Sequence, residues 1–307
     1  MSAPPLCIYH SNCADGFTAA WAVWKRFPDA EFVPGIYGQE PPDTAGRRVI
    51  LVDFSYPEPV LRRMAERAKS LLVLDHHKTA AEALAWMPRA VTHFDRPLDP
   101  WTYHITEDAY LLENQGHPAC AAWFDMEKSG ARLAWEFFHP GTPVPHLVRH
   151  VEDRDLWRFA LTGTREIQAV IFSYAYDFAA WDILATACAW PESLQEMISQ
   201  GAAIERKHRK DVAELLQVTR RTMVIAGQEV PVANLPYTMA SDAAGLMAEE
   251  APFAACYYDK PGARVFSLRS RSDGGADVSA VAKLYGGGGH RNAAGFQAAP
   301  GWEGDDA

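Results

Sequence analysis

Three short apolar runs in the N-terminal half each end in a side chain that can bind a metal ion. LCIYH ends in His10, VILVD ends in Asp53, and LLVLD ends in Asp75, which His76 and His77 follow directly. Continuous apolar runs are typical of strands that are buried on both faces of a parallel sheet. Ligands of open parallel sheets bind beyond the carboxyl ends of the strands, so we expect these side chains to converge at one edge.

Carboxylates and imidazoles with little thiolate suit a hard divalent ion such as Mn²⁺ better than a structural zinc ion. Asp15 lies shortly after His10 and adds a further carboxylate. Several carboxylates, one of which can bridge, suit two ions about 3.5–4 Å apart that activate water for attack on phosphorus. A lone aspartate at a strand end more often caps a helix, so the prediction depends on the agreement of the three strand ends.

The glycine-rich stretch YGGGGHRNAAGF is a second candidate site. Four glycines after a helix exceed what a helix C-cap needs, and backbone N–H groups without side chains beside them can approach an anion closely. His290 and Arg291 follow the glycines and offer hydrogen-bond donors to a phosphate. Arg269 and Arg271 in SLRSR add two guanidinium groups that could bind the same phosphate. The alternative is a flexible turn with exposed basic residues.

The order of the predicted elements indicates an α/β protein with two domains. Strands and helices alternate over residues 6–77, which predicts a parallel sheet with flanking helices. A charge-laced helix pattern at 193–222 is followed by a hairpin around Ala226-Gly227, two strands and a short helix. We therefore predict a first domain at 1–190, a linker helix at 191–222, and a smaller α/β domain at 223–307. An insertion at about 94–122 contains Trp101, His104 and His117, which could shape substrate access.

Composition restricts the partners and the compartment. The formal charge of 29 − 39 = −10 is unfavourable for binding long duplex DNA through its phosphates. Five scattered cysteines without a C-x-x-C pair predict a reducing compartment. The N-terminus lacks a signal-peptide pattern, and no apolar run is long enough to span a membrane. These features predict a soluble cytoplasmic protein without a membrane partner, and a homodimer is left open.

The Asp75-His76-His77 triplet and the glycine motif together resemble the signatures of the DHH phosphoesterase superfamily and of its C-terminal DHHA1 domain. Both motifs occur in the family's order and roughly at its separation, so the resemblance covers most of the chain. The stretch YHSNCADGFTAAWA resembles a branch of predicted oligoribonucleases and cyclic-nucleotide phosphodiesterases. The resemblance implies a parallel-sheet DHH domain, a linker helix, a DHHA1 domain, and two divalent ions, with Mn²⁺ preferred to Mg²⁺ or Co²⁺.

The resemblance also implies a role for each residue that matches a motif. The expected metal ligands are His10, Asp15, Asp53, Asp75, His76 and a downstream acid, for which Asp153 is preferred to Asp155. Asp125 is a further candidate, interpreted instead as an acid at a helix start. The expected catalytic residues are His77, Asp75 and His290. The expected substrate-binding residues are Arg269, Gly287, Gly288, Gly289, His290 and Arg291.

The first motif departs from the family pattern at Cys13. This cysteine stands where the family has the first aspartate of Asp-x-Asp-Gly, and His10 is one residue farther away than usual. Cys13 could bind a metal as a thiolate, favour a softer ion, or weaken one metal site. A buried structural cysteine is an equal alternative.

The expected activity is metal-dependent hydrolysis of phosphodiester or phosphomonoester bonds in short oligonucleotides or small nucleotides. The linker helix would let the two domains close on the substrate. The alternatives are a single-strand-specific exonuclease, a cyclic-dinucleotide phosphodiesterase, a pyrophosphatase or polyphosphatase, and a nucleotide-binding protein whose catalytic site Cys13 has disabled. The orientation of Cys13 towards or away from the metal centre distinguishes the last of these from the enzymes.

Overall fold

The computed structural model describes residues 4–90 and 119–305 of the 307-residue chain. Most of the predicted insertion at 94–122, including Trp101, His104 and His117, lies outside the described residues. Its last residues do not belong to an inserted loop, because Ala119–Phe124 forms a strand. That boundary of the prediction was wrong, since the run ACAAW is short and apolar but follows a polar stretch without a clear period.

The first part of the chain forms a parallel sheet with the strand order β2-β1-β3-β4-β5. The strands are β1 (Leu6–His10), β2 (Glu31–Gly35), β3 (Arg48–Val52), β4 (Ser70–Asp75) and β5 (Ala119–Phe124). This arrangement confirms the predicted parallel sheet. Because β1, β3 and β4 are neighbours and run in the same direction, their C-terminal residues lie at one edge of the sheet.

Helices follow or flank these strands throughout the first part of the chain. They are α1 (Ala14–Arg26), α2 (Glu58–Arg67), α3 (Ala80–Leu84), α4 (Gly130–Phe138), α5 (His146–Asp155), α6 (Thr164–Ile171), α7 (Phe178–Ala189) and α8 (Pro191–Thr219). Local sequence explains the start of α4, where the Ser129 hydroxyl accepts a hydrogen bond of 3.2 Å from the Arg132 N–H. Such an N-cap contributes about 1 kcal/mol to helix stability.

The strands are buried on both faces, and successive side chains enter different cores. Ile8, Leu51 and Val73 pack with Leu61 and Met64 of α2 in one core. Their neighbours along the strands enter a second core with residues of α1 and α4, including Cys7, Ile50, Leu72, Phe17 and Leu133. Burying one such large side chain contributes about 1.5–3 kcal/mol, so both helical layers hold the sheet edge in place.

The last hundred residues form a second, mixed sheet with the strand order β10-β11-β9-β8-β7-β6. Its strands are β6 (Arg220–Ile225), β7 (Gln228–Asn234), β8 (Ala254–Lys260), β9 (Ala263–Arg269), β10 (Gly288–His290) and β11 (Ala293–Ala298). Two helices belong to the described residues of this region, α9 (Tyr237–Ala248) and α10 (Val278–Leu284). Ala226 and Gly227 have φ angles of 53° and 70° at the hairpin turn, as a two-residue type I′ turn requires.

The chain divides into two compact units, Met1–Ile204 and Glu205–Ala307. Helix α8 contains residues of both units. Within the described ranges, no helix has the length and apolar character that crossing a membrane requires. The mixed α/β architecture with a parallel first sheet and a separate second sheet confirms the predicted fold class.

Candidate metal centre

The edge of the first sheet brings together the side chains that follow β1, β3 and β4. The backbone N–H of Asp53 donates a 2.9 Å hydrogen bond to the carbonyl of Leu74, so the two strand ends remain paired up to the candidate site. Asp53 itself has a φ of 55°, which is uncommon for a residue other than glycine. Backbone strain of this kind concentrates at functional sites, where the surrounding structure holds it.

Asp53 lies at the centre of the cluster. Its Oδ1 lies 3.0 Å from Nε2 of His76, and its Oδ2 lies 3.4 Å from Nδ1 of His10. The side chain is almost fully buried. Burial alone would raise the pKa of Asp53, but the close contacts with the His10 and His76 rings outweigh it and hold the pKa well below its ordinary value. Asp53 is therefore an ionised carboxylate with contacts on both of its oxygens.

Asp15 approaches the cluster from the first turn of α1 and is held by the start of α4. Its Oδ2 accepts a 2.6 Å hydrogen bond from the Gly130 N–H, and its Oδ1 accepts a 3.0 Å bond from the Ala131 N–H. The positive end of the helix dipole favours a carboxylate at this position. Asp15 Oδ2 lies 3.6 Å from Nε2 of His76, so the carboxylate faces the same imidazole as Asp53.

Gly130 both donates its N–H to Asp15 and leaves space for the side chain of Asp53, and the sequence analysis did not identify this residue. A Cβ atom on Gly130 would lie 2.4 Å from Cβ and 2.7 Å from Oδ1 of Asp53. Neither atom of Asp53 can yield easily, because the aspartate is buried and held by two histidines. The pair Ser129-Gly130 at a helix start was the available signal, since an N-cap serine followed by glycine exposes N–H groups to an anion.

The fourth acid of the cluster is Asp155, and the preference for Asp153 needs correction. Asp155 Oδ2 lies 3.6 Å from Nε2 of His76 at the end of α5. Asp153 instead accepts hydrogen bonds from the N–H groups of Ala160 and Leu161 and from the Thr164 hydroxyl, at 2.8, 3.0 and 2.6 Å. Its oxygens are satisfied within its own loop, because two residues of helix turn the two side chains about 200° apart.

Asp75 orients His77. Its Oδ1 accepts hydrogen bonds from the backbone N–H groups of His76 and His77, at 2.7 and 3.1 Å, and lies 2.7 Å from Nδ1 of His77. The carboxylate can only accept a hydrogen bond, so these contacts place a ring proton of His77 on Nδ1. Burial would raise the pKa of Asp75. The electrostatic interaction and the hydrogen bond with His77 outweigh burial, so the pKa of Asp75 is lowered. Nδ1 of His77 lies 3.9 Å from Oδ1 of Asp53, which joins this pair to the cluster.

Cys13 faces the cluster rather than the protein core. Its Sγ belongs, with a ring nitrogen of His10 and a carboxylate oxygen of Asp53, to a group of donor atoms that all lie within 4.8 Å of one another. Burial raises the pKa of the Cys13 thiol, against the hydrogen bond with His10, which lowers it. The adjacent Asn12 has a φ of 53°, a left-handed conformation that asparagine tolerates in a tight turn.

Three such groups of donor atoms in the first unit share Asp53. They are Asp15 with Asp53 and His76, His10 with Cys13 and Asp53, and Asp53 with Asp75 and His77. One carboxylate common to several ligand sets is the arrangement that a pair of bridged cations requires. Asp155 adds a further oxygen beside the first set.

Hydrogen bonding and charge both indicate that the cluster fits divalent cations. Among the described residues, buried oxygens or nitrogens without a hydrogen-bond partner include Asp53 Oδ2, Asp75 Oδ2, Asp155 Oδ2 and His10 Nδ1. Buried polar atoms are normally paired, so a group of unpaired ones at one place points to a bound ion. Burial and then the charges of Asp53 and Asp155 raise the pKa of Asp15 well above its ordinary value, as expected where carboxylates crowd together.

In the second unit, the glycine motif forms a hairpin rather than an open loop. Gly288–His290 is a short strand antiparallel to β11. Gly289 has a φ of 141°, and a Cβ atom on Gly287 would lie 2.1 Å from the Gly295 carbonyl oxygen. Close approach of two backbones therefore explains these two glycines. The prediction that Gly287, Gly288 and Gly289 bind phosphate stays a prediction.

The predicted basic residues of the second unit also have structural contacts. Nη2 of Arg269 donates a 2.7 Å hydrogen bond to the Ser241 hydroxyl on α9. Nη1 of Arg291 lies 3.8 Å from a carboxylate oxygen of Asp277, at the start of α10. His290 ends β10. The substrate-binding roles of Arg269, His290 and Arg291 stay predictions.

No family model matches the chain. An uncharacterized protein of Acanthamoeba polyphaga mimivirus is 25% identical over 314 residues, which cover 94% of this chain and 66% of that relative. The chain thus spans slightly less than two thirds of the relative's length. A pGpG-specific phosphodiesterase of Vibrio cholerae shares 16% identity, with 97% of this chain and 94% of that chain covered and a TM-score of 0.46, too low to add to a fold assignment.

A solved DHH domain from a protein described as a member of a family of ribosomal proteins gives the informative comparison. It has a TM-score of 0.55 with 14% identity and covers 96% of this chain and 82% of its own. At this identity the likeness concerns the fold. The described chain therefore has the fold of a DHH-domain protein, as the Asp75-His76-His77 triplet and the glycine motif predicted.

Proposed function

We propose that the protein is a metal-dependent phosphoesterase of the DHH type that hydrolyses phosphodiester or phosphomonoester bonds of short oligonucleotides or small nucleotides. The observation that carries this proposal is the position of Asp53, which is common to three groups of donor atoms at the C-terminal edge of a parallel sheet. The DHH-domain fold supports the same assignment. Burying a carboxylate carries a desolvation cost, and bound cations would offset that cost.

Two divalent cations are the cofactor that the donor atoms fit, with Mn²⁺ proposed as the physiological ion. One set of ligands comprises Asp15, Asp53, His76 and Asp155, and the other comprises His10, Cys13 and Asp53, with the free oxygen of Asp75 as a further donor. Bound cations would supply charge for the phosphoryl oxygens and lower the pKa of the attacking water. A thiolate ligand at Cys13 would favour a somewhat softer ion than an all-oxygen site does.

His77 is the proposed proton carrier. The 2.7 Å contact between its Nδ1 and Asp75 fixes the tautomer and the ring orientation, so Nε2 is the nitrogen that can accept or release a proton. Asp75 is then the positioning residue, which holds the His77 ring in one orientation. His290 is a further proposed catalytic residue, through a hydrogen bond to substrate.

The second unit is proposed to bind substrate phosphate. Arg269 and Arg291 carry positive charge, and Gly287, Gly288 and Gly289 have no side chains of their own that would keep an anion from the backbone. The Gly287 N–H donates to the Ala282 carbonyl, so Gly288 and Gly289 are the proposed donors. Arg269 is oriented by Ser241, and such preorganisation lowers the entropic cost of binding an anion.

The structure bears on two of the alternative functions. Cys13 faces the cluster, which favours a thiol that takes part in the site over one that has only replaced a ligand. Trp21 and Trp135 are almost fully buried in the core, so they do not line a groove for a long single strand. A pyrophosphatase or polyphosphatase would use the same cluster and differs only in the substrate it recognises. A cytoplasmic location and a homodimer are further proposals.

A turnover panel with Mn²⁺ added or chelated tests the proposal. The substrates are a dinucleotide, a five-nucleotide RNA, 3′-phosphoadenosine 5′-phosphate, a cyclic dinucleotide, pyrophosphate and long single-stranded DNA. We expect Mn²⁺-dependent hydrolysis of a short oligonucleotide or small nucleotide. Absence of hydrolysis across the panel, with nucleotide still bound, would contradict the proposal and favour the disabled nucleotide-binding protein.

A further inference from the structure

The segment that follows Asp155, an acid of the candidate metal centre, carries two aromatic residues, the exposed Trp157 and the partly buried Phe159. Trp157 is 44% exposed, and its ring centroid lies 4.9 Å from that of Phe159 in an edge-to-face arrangement. Large aromatic side chains usually reduce the free energy of a protein by leaving water. Trp157 follows Asp155 by two residues, which restricts the separation of their Cα atoms to about 7 Å.

The backbone of this segment is strained at both aromatic residues. Trp157 has a φ of 56° and Phe159 has a φ of 49°. The left-handed conformation costs roughly 1–2 kcal/mol for a residue with a side chain, and glycine or asparagine is the usual choice. A sequence that places two bulky rings in this conformation, and exposes one of them, is not optimised for stability alone.

Asp153 holds the strained segment in place. Its carbonyl oxygen accepts hydrogen bonds from the N–H groups of Arg158 and Phe159 at 2.8 and 3.2 Å. Its carboxylate accepts from Ala160 and Leu161, as described above, so four successive N–H groups bond to one residue. The segment is therefore a rigid turn with a fixed presentation of its rings.

Two arginines complete the arrangement. The guanidinium carbon of Arg165 lies 3.7 Å from the ring centroid of Phe159 and 5.9 Å from that of Trp157. Arg158 donates a 2.9 Å hydrogen bond to the carbonyl of Glu127, which ties the turn to the segment before α4. The aromatic platform, defined as Trp157, Phe159 and Arg165, thus combines a flat π face with positive charge.

We propose that the aromatic platform stacks on a nucleobase of the substrate whose phosphate is bound at the metal cluster. This inference rests on the proposed function and deepens it, because pyrophosphate and polyphosphate have no ring to stack. An exposed indole binds any base through its π face, and a neighbouring guanidinium strengthens the contact. A rigid turn that begins two residues after Asp155 suits a nucleotide, whose base and phosphate are separated by one sugar.

The experiment compares two compounds and four forms of the full chain. The compounds are 5′-phosphorylated diadenylate and the same sugar–phosphate backbone without its bases. The forms are the parent protein, Trp157→Asn, Trp157→Phe, and Trp190→Ala as a matched control that removes another exposed tryptophan, 63% accessible. Asparagine tolerates the left-handed backbone, so Trp157→Asn is expected to fold and to melt at a slightly higher temperature.

Each form is measured for equilibrium binding by calorimetry in Ca²⁺, for KM and kcat in Mn²⁺, and for Mn²⁺ affinity. We expect Trp157→Asn to weaken diadenylate binding and to raise its KM by about tenfold, the order of one base–aromatic stack. Its kcat, its Mn²⁺ affinity and its binding of the abasic compound should change less than about twofold. Trp157→Phe should recover most of the loss, and Trp190→Ala should behave as the parent.

Equal effects of Trp157→Asn on both compounds, or no effect on either, would overturn the platform. So would a parent protein that binds diadenylate no more tightly than the abasic compound. Binding that depends on Trp157 without hydrolysis by any form would support the platform and contradict the phosphoesterase. Hydrolysis of diadenylate that is indifferent to Trp157 would support the phosphoesterase and overturn the platform.

Discussion

Two buried histidine–aspartate groups occupy the first unit, and they differ in how completely their polar atoms are paired. The metal-centre cluster comprises Asp15, Asp53, His76 and Asp155. The capping cluster comprises His150, Asp153 and Thr164, where the Thr164 hydroxyl donates to Asp153 and lies 2.9 Å from Nδ1 of His150. Both clusters take acids from α5, because Asp153 belongs to the capping cluster and Asp155 to the metal-centre cluster.

The difference lies in charge balance as well as in hydrogen bonding. In the capping cluster, burial would raise the pKa of Asp153. The hydrogen bonds from Thr164 and from two backbone N–H groups outweigh burial and lower the pKa. In the metal-centre cluster, three carboxylates surround one imidazole. Burial lowers the pKa of His76, but the hydrogen bond to Asp53 and the charge of Asp155 raise it well above its ordinary value. An imidazolium there compensates only part of the negative charge, and cations would compensate the rest.

Replacement of Asp53 by asparagine should have the largest effect. The asparagine side chain would keep the shape of the aspartate and tolerate the left-handed backbone, so the fold should persist. It would remove the charge that three groups of donor atoms share, so kcat/KM should fall on the order of 10³-fold or more. Turnover of the best substrate of the panel, with circular dichroism as the control for folding, checks this. Unchanged turnover would remove Asp53 from the site.

The two acids at the end of α5 should respond in opposite ways. Asp155→Asn should weaken Mn²⁺ binding by at least about tenfold, with little loss of metal-free stability, because Asp155 Oδ2 has no hydrogen-bond partner. Asp153→Asn should leave Mn²⁺ affinity unchanged and lower the free energy of unfolding by about 1–3 kcal/mol, because it weakens hydrogen bonds to a charged group. Calorimetric titration and urea unfolding of both variants test the contrast, and the reverse pattern would restore Asp153 as the ligand.

A methyl group at Gly130 should disturb the metal-centre cluster from outside. Gly130→Ala places a carbon 2.4 Å from Cβ of Asp53, so the aspartate or α4 must move. We expect a loss of stability of about 1–3 kcal/mol together with weaker Mn²⁺ binding. Gly141→Ala is the control, because Gly141 has a φ of 75° and nothing within 4 Å of the added Cβ. The Gly141→Ala variant should lose stability only because alanine is unfavourable at a positive φ, and it should keep its Mn²⁺ affinity.

The capping cluster should give a smaller, pH-dependent effect. Burial lowers the pKa of His150 from 6.5 to about 4. Between pH 6.5 and about 4, His150 is protonated in the unfolded chain but stays neutral in the folded protein. The free energy of unfolding therefore falls as pH falls from 6.5 towards 4. Between pH 7.5 and 5 the loss should be about 2 kcal/mol.

The variant His150→Asn isolates that contribution, because its amide nitrogen replaces Nδ1 and does not titrate in this range. Unfolding free energies of both proteins at the two pH values give the difference. A slope that is identical in the parent and in His150→Asn would show that His150 is not held neutral by burial.

The comparison of the two clusters also explains what the sequence could and could not predict. The strand ends at His10, Asp53 and Asp75 were identifiable because buried strands have a continuous apolar pattern, and parallel topology then places their ends together. The choice between Asp153 and Asp155 was not identifiable from composition. It depends on where the helix ends and on which side chain turns back to its own loop.

Long-range contacts account for the remaining gaps. The bonds from the N–H groups of Gly130 and Ala131 to Asp15 join residues more than a hundred positions apart, so no local pattern indicates them. The sequence of the hairpin at Gly288–His290 resembles a loop, because glycines are rare in strands. The sequence does not reveal the neighbouring backbone whose close approach requires them. The strand Ala119–Phe124 was not predicted, because the preceding polar stretch has no clear period that would mark where the strand begins.

The number of Mn²⁺ ions that the parent protein binds tests the central claim most directly. Calorimetric titration of metal-free protein, with electron paramagnetic resonance of the loaded form, measures both the number and the proximity of the ions. We predict two ions per chain, magnetically coupled because a shared carboxylate holds them about 3.5–4 Å apart, and loss of the coupled pair in Asp53→Asn. No bound ion, or two uncoupled ions that are indifferent to Asp53, would contradict the account.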